Sequence, residues 1–211
     1  MMTRVFISYH HECDQQYKED LSWMADRYGC FDDGSVETGD IDDDGRSSES
    51  IRQVIRDNYL RGAEVTILLC GSETRDRKHV DWELKSSMID GQINRKSGIL
   101  VINLPGNADN QWLAALPDEK SAIYPDYFGE WVALHNRQDY QDRYPLMPER
   151  ILDQLVCTSV RISVVPWNRI ENRPDKIQWL VDQTARVRHT NDYDLTRPMR
   201  RRNSNRDISW V

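Results

Sequence analysis

Two stretches of the chain, "EVTILLC" (64–70) and "GILVINL" (98–104), are apolar without alternation, "RVFISY" (4–9) reads as a buried strand and "VRISVVPW" (160–167) as a last strand. Runs of this kind predict strands buried on both faces, as central parallel strands are. Between them the apolar period changes to that of a helix. Tyr17, Leu21, Met24 and Tyr28 fall on one helical face after the first run. Ile51, Val54, Ile55 and Tyr59 mark a second helix over about 48–59, and Val80, Leu84 and Met88 a third, with Glu83 near its start. A last helix opens with Pro174 in its first turn and carries Ile177, Leu180, Val181 and Thr184 on one face. Residues 29–48 form a loop rich in Gly and Asp, with one short strand near Cys30 and Phe31. Strand and helix in alternation predict an α/β fold, a doubly wound parallel sheet with helices on both faces.

The rhythm breaks at 105–158, a stretch rich in Pro, Tyr, Trp and Asp, where only short helical pieces near 111–116 and 148–155 stand out. This is a long insertion before the last strand. After about Asp192 the chain turns basic ("RPMRRRNSNRD") and loses periodicity. The expected organisation is a single domain over 1–192, containing the 105–158 insertion, and a basic tail over 193–211. No internal repeat is visible.

Composition narrows the class. A hydrophobic fraction of 38 %, with seven Trp and nine Tyr, predicts a folded chain. A net charge of −7 argues against a general nucleic-acid binder, which needs a basic surface to neutralise phosphates. Cys13, Cys30, Cys70 and Cys157 form no C-x-x-C pair, which predicts reduced thiols in the cytoplasm. "MMTRVFISY" enters a strand at once, leaving no room for a leader peptide, and no apolar run is long enough to span a membrane. A soluble cytoplasmic protein with no membrane partner is expected.

Several motifs bear on chemistry. Glu83 lies beside the Val80/Leu84 stripe, at the start of a helix that follows a parallel strand. That is the carboxyl edge of the sheet, where open α/β sheets bind ligands. The plainer reading is an acidic residue complementing the helix dipole. "DIDDDG" places Asp40, Asp42, Asp44 and Gly45 as in the first half of a calcium loop, but Ile51 stands where the closing glutamate belongs. A loop without metal is the expectation, so calcium should not raise the melting temperature. His10 and Cys13 lack the further ligands that zinc requires. G-x-G-x-x-G, the P-loop and the G-x-S-x-G elbow are all absent from the sequence.

"RVFISYHHECD" resembles the opening strand and loop of TIR and TIR-like domains. "TILLCGSETRDRKHVDWEL" resembles the third strand, loop and helix of the TIR-like branch found in Thoeris antiphage systems. The matching positions are Gly71, Thr74, Arg75, Arg77, Lys78, Val80, Glu83 and Leu84. The branch usually has Trp before the Val; here that position is His79, with Trp82 close by. The resemblance runs from residue 4 to about 104. It implies a flavodoxin-like, TIR-type fold and a substrate, NAD. Glu83 would be the glutamate that serves cleavage between nicotinamide and ribose, with no metal.

One carboxylate suffices for such a reaction. Nicotinamide leaves a positively charged linkage as a neutral molecule, so no acid is needed to protonate it, unlike in ordinary glycosidases. The oxocarbenium-like ribose left behind is stabilised by a buried carboxylate. Capture by water gives ADP-ribose; capture by a group of the same molecule gives a cyclic product. By the resemblance, the product is a second messenger acting on a separate effector protein, made in response to a phage-derived trigger. Ser8, Tyr9 and His10 of the first loop, with Cys70, Gly71, Thr74 and Trp82, are the expected substrate-binding residues. The Asp40–Gly45 region is the expected loop over the site or at a subunit contact. The tail arginines Arg200, Arg201 and Arg202 could meet the acidic loop in a homo-oligomer, or form a loose end. The competing functional readings are a TIR-like interaction module without chemistry and a nucleotide sensor.

Overall fold

The computed structural model describes residues 2–35, 48–55, 57, 60–91, 94–107 and 111–203. Among these described residues five parallel strands form the sheet: β1 (Arg4–Ser8), β2 (Asp32–Asp33), β3 (Val65–Cys70), β4 (Gly98–Asn103) and β5 (Ser163–Pro166), in spatial order β2-β1-β3-β4-β5. The apolar runs predict the parallel sheet, and its strand order is the flavodoxin-like one that the resemblance to TIR-like domains implies. Every residue of β3 and β4 is buried, because helices cover both faces.

Side chains alternate across the pleat. Val5, Ile7, Val65, Ile67, Leu69, Leu100, Ile102 and Val165 turn to one face, against Leu21, Met24 and Ala25 of α1 (Gln15–Tyr28) and Ile177, Leu180 and Val181 of α7 (Pro174–Val187). Gly98 lets α7 come close: a Cβ there would meet the Thr184 carbonyl oxygen at 2.5 Å. Tyr28, expected on the α1 stripe, is exposed, because it ends the helix and packs edge-on against the exposed Trp23 instead. Leu68, Cys70, Ile99, Val101 and Val164 turn to the opposite face, against α3 (Lys78–Met88) and α6 (Glu149–Leu155). Farther along that side, Phe6 packs with Ile51 of α2 (Ser48–Val54) and with Ile55, Leu60, Ala63 and Trp82. Burying each such aliphatic or aromatic side chain contributes on the order of 1.5–3 kcal/mol.

The short strand falls on Asp32–Asp33, two residues past the expected Cys30–Phe31 pair, which is buried in the core instead. The expected second helix is described over Ser48–Val54; Tyr59 and the Asp40–Gly45 loop lie outside the described residues.

The insertion contains α4 (Glu119–Ile123) and α5 (Arg137–Arg143), followed by α6 close to where a helix is expected. The piece expected as helix over 111–116 is extended: Leu113 exchanges both backbone hydrogen bonds with Val164, at 2.9 Å each, and covers the open edge of β5. Trp112 stacks on Tyr124 in a cluster with Tyr127 and Trp131. After α7, residues 191–203 form no helix or strand beyond Asn191, yet they do not trail away. They run across α6 and along α3 as a strap. Among the described residues no helix is long and apolar enough to cross a membrane.

Candidate active site

Ser8 ends β1 at its carboxyl edge, and Glu83 occupies the second turn of α3. Phe6 and Ser8 share a face of β1, so Ser8 points toward α3. Its hydroxyl donates to Glu83 Oε2 at 2.6 Å, inside the protein. Burial pushes the Glu83 carboxyl up to about 7, against the opposing pull of the Ser8 hydrogen bond. Near neutrality this side chain therefore exists in both charge states, which an ordinary surface glutamate does not.

The two loops at this edge are tied together by a group that sequence reasoning missed. Asp14 stands at the N-cap position of α1 but makes no capping bond. Its carboxylate instead accepts the Thr74 hydroxyl at 3.0 Å, and the Thr74 oxygen accepts the Gly71 N–H at 2.9 Å. Gly71 is required here by space: a Cβ would lie 2.3 Å from Asp14 Oδ1. Burial raises the Asp14 carboxyl, with the Thr74 hydroxyl drawing it back. An aspartate just ahead of a helix reads as a cap, so nothing in its local sequence marks this role.

His10 is buried in the first loop. Its Nδ1 accepts the Cys13 N–H at 3.1 Å, while its Nε2 is buried with no partner. The His10–Cys13 spacing thus builds a turn. Tyr9 stacks on His11 with ring centroids 4.5 Å apart and donates its hydroxyl to Gln15 at 2.8 Å.

Cys70 is fully buried between Asn107, whose amide reaches its sulfur at 3.2 Å, and the Leu146 carbonyl; desolvation pushes its thiol up to about 12. It packs as a neutral thiol. The structure does not bring Trp82 to the Ser8–Glu83 pair. One position along a helix turns a side chain by roughly 100°, which sends Trp82 into the α2 cluster, where it is 2 % exposed. Its indole N–H donates to the Arg200 carbonyl at 2.7 Å, and His79 packs edge-on against it. Ser8, Glu83, Gly71, Thr74, Asp14 and the His10 loop thus gather at the carboxyl ends of β1 and β3, whereas the Cys70 thiol and Trp82 are sealed in the layers around them. Among the described residues no cluster of His, Cys, Asp and Glu is arranged to hold a metal ion.

A five-stranded parallel sheet of this order, with a buried carboxylate held by the last residue of its interior strand β1, defines a flavodoxin-like domain of the TIR type. Residues 6–109 match the family model described as Thoeris protein ThsB, TIR-like domain. That segment, about half of the chain, is a TIR-like domain of the Thoeris type, and it supports a TIR module of antiphage defence. The segment holds Ser8, Asp14, Gly71, Thr74 and Glu83; β5, α4 to α7 and the strap lie beyond it. No curated protein matches the chain.

Proposed function

We propose that the protein cleaves NAD between nicotinamide and ribose and releases an ADP-ribose-derived signal. The observation carrying this reading is the Ser8–Glu83 contact: a buried carboxylate at the sheet edge, oriented at 2.6 Å by one hydroxyl. The cationic nicotinamide–ribosyl unit favours the ionised form of Glu83 when it binds, because an opposite charge nearby lowers a carboxyl pKa. Ionised Glu83 then faces the ribose as positive charge develops on it. Ser8 keeps the carboxylate in one orientation, so little reorganisation remains for the reacting state. The Asp14–Thr74–Gly71 tie holds the first and third loops in fixed relation, which bears on positioning of the substrate between them. The leaving nicotinamide needs no acid. An ordered fold around the ribose limits water and favours capture by a group of the same molecule, hence a cyclic product acting on a separate effector.

The test is nicotinamide release from NAD by the purified protein, with and without lysate of phage-infected cells. Release by the wild type and its loss in Glu83→Gln, with the fold intact, is the expected result. A folded wild type that releases nothing under any trigger would instead leave an interaction module without chemistry.

A further inference from the structure

Helix α3 carries Glu83 but is poorly equipped to hold itself in place. It has 11 residues, a length at which isolated helices are marginal in water. Arg77, at its N-cap position, is extended and makes no side-chain cap. The missing cap comes from far along the chain: the Lys78 N–H donates to Asn203 Oδ1 at 2.9 Å. Three more contacts follow along the helix. The Arg200 N–H donates to Asp81 Oδ2 at 2.8 Å, the Trp82 indole to the Arg200 carbonyl at 2.7 Å, and the Lys85 ammonium to the Arg197 carbonyl at 3.0 Å. Residues 78, 81, 82 and 85 are spaced i, i+3, i+4 and i+7, a single stripe of the helix. The strap therefore runs antiparallel along one face of α3, and Glu83 lies off that face.

At the centre of this contact is Arg150, an arginine of α6 that is 1 % exposed. Its Nε and Nη2 grip both oxygens of Asp81 at 2.8 and 3.0 Å. The remaining donors reach the carbonyls of Arg197 at 3.1 Å and Pro198 at 2.9 Å. One guanidinium thus joins α6, α3 and the strap. Buried ion pairs are poor sources of stability compared with apolar packing, and a well-attested use of them is fixing one arrangement among several. A fork with every arm engaged sets both the rotation and the axial position of the helix it grips. Asp81 is two residues from Glu83, so rotation of α3 transmits directly to the carboxylate that Ser8 holds.

We infer that Arg150, with the 195–203 strap it anchors, is a positioning device for Glu83, built from residues outside the TIR-like segment. Its catalytic consequence rests on the NAD-cleaving reading; its structural half does not. The site as a whole is then incomplete in residues 6–109 alone.

The experiment uses the full chain with Arg150→Lys, which keeps the charge and removes the fork. Three quantities are read: amide exchange along 78–88, the titration midpoint of the Glu83 side chain followed by carbon NMR, and nicotinamide release. Expected are exchange faster by about tenfold or more in α3 but unchanged in β4, and a Glu83 midpoint moved down toward an ordinary glutamate as water reaches it. Also expected is a kcat lowered about tenfold with KM nearly unchanged. If Arg150→Lys does not fold, Arg150→Met with Asp81→Leu replaces the pair by apolar volume, and the same shifts are expected. Unchanged exchange and an unchanged Glu83 midpoint would overturn the inference. Faster exchange with full kcat would reduce Arg150 to an architectural residue and equally overturn it. Should the wild type release no nicotinamide, the NAD reading falls, and exchange and the Glu83 midpoint alone decide whether Arg150 positions that carboxylate.

Discussion

Two glutamates in this molecule are built alike. Glu83 receives a hydroxyl from Ser8, the last residue of β1; Glu119 receives one from Ser163, the first residue of β5. Burial pushes each carboxyl up to about 7 against the pull of its serine. Their surroundings differ. Glu119 also accepts the backbone N–H of Leu116 at 3.0 Å, is sealed at 0 % exposure, and leaves Oε1 buried without a partner beneath the aromatic insertion. It fastens a turn. Glu83 is 6 % exposed, stands by the last residue of β1 at the carboxyl edge, and is held by the Ser8 hydroxyl without a backbone donor. A raised carboxyl pKa marks burial; access and placement at the sheet edge mark a site for chemistry.

The comparison breaks most sharply on rate. Glu83→Gln should lower nicotinamide release by about a hundredfold or more, since the shape remains and the charge is gone. Glu119→Gln should leave turnover within about twofold of wild type, because a sealed side chain meets no substrate. Equal losses in the two variants would erase the distinction.

The pH profile comes next. Only ionised Glu83 stabilises a cation, so kcat/KM should rise with pH through a midpoint near 7. About two pH units below that midpoint the rate should be down roughly a hundredfold. The same limb should persist in Glu119→Gln, and steady-state rates across the pH range check this directly.

Ser8→Ala has a smaller effect. It removes the hydrogen bond that favours the ionised carboxylate, so the midpoint should move upward and kcat should fall by about tenfold. A profile identical to wild type would mean that Ser8 does not orient Glu83.

Stability gives the smallest signal, and here the two carboxyls should behave as a pair. Each has a folded pKa above its unfolded value, so each stabilises the fold fully below about 4.5 and loses that contribution as pH rises through about 7. The melting temperature should fall between pH 5 and 8. Glu83→Gln should flatten its share of that slope and make the protein more stable at pH 8, by at most about 3 kcal/mol. A melting temperature that rises over this interval would contradict the burial of both groups.

Much of this was legible in the sequence, and the remainder was hidden for definite reasons. The largely apolar runs of β1, β3, β4 and β5 announce a parallel sheet, because strands covered on both faces are apolar at most positions rather than at every second one. Glu83 follows such a strand at the edge where ligands sit, but by position alone the plainer reading is a carboxylate complementing the helix dipole, and the resemblance to TIR-like domains is what singles it out. Glu119, Asp14 and Arg150 were not legible. Their roles depend on Ser163, Thr74 and Asp81, separated from them by 44, 60 and 69 positions. No local period encodes such distances. Helices α4 and α5 span only 5 and 7 residues, too few to repeat an apolar stripe. The segment after Asp192 is aperiodic as expected, since a strap held by backbone groups and scattered polar side chains needs no apolar period.

That strap also bears on when the protein can become competent during its synthesis. Residues 6–109 leave the ribosome as a recognisable TIR-like segment, but β5, Arg150 and the clasp over α3 are still to be made. At about 5–20 residues per second, the strap follows residue 109 by roughly 5–20 s. Until residue 150 is made the Asp81 carboxylate has no guanidinium, and until residue 203 is made α3 has no cap. A nascent chain, or one broken off early, thus carries the glutamate but not the fastening around it. If Arg150 and the strap position Glu83 as inferred, translation itself would give a period of silence to a protein whose proposed substrate is shared by the whole metabolism.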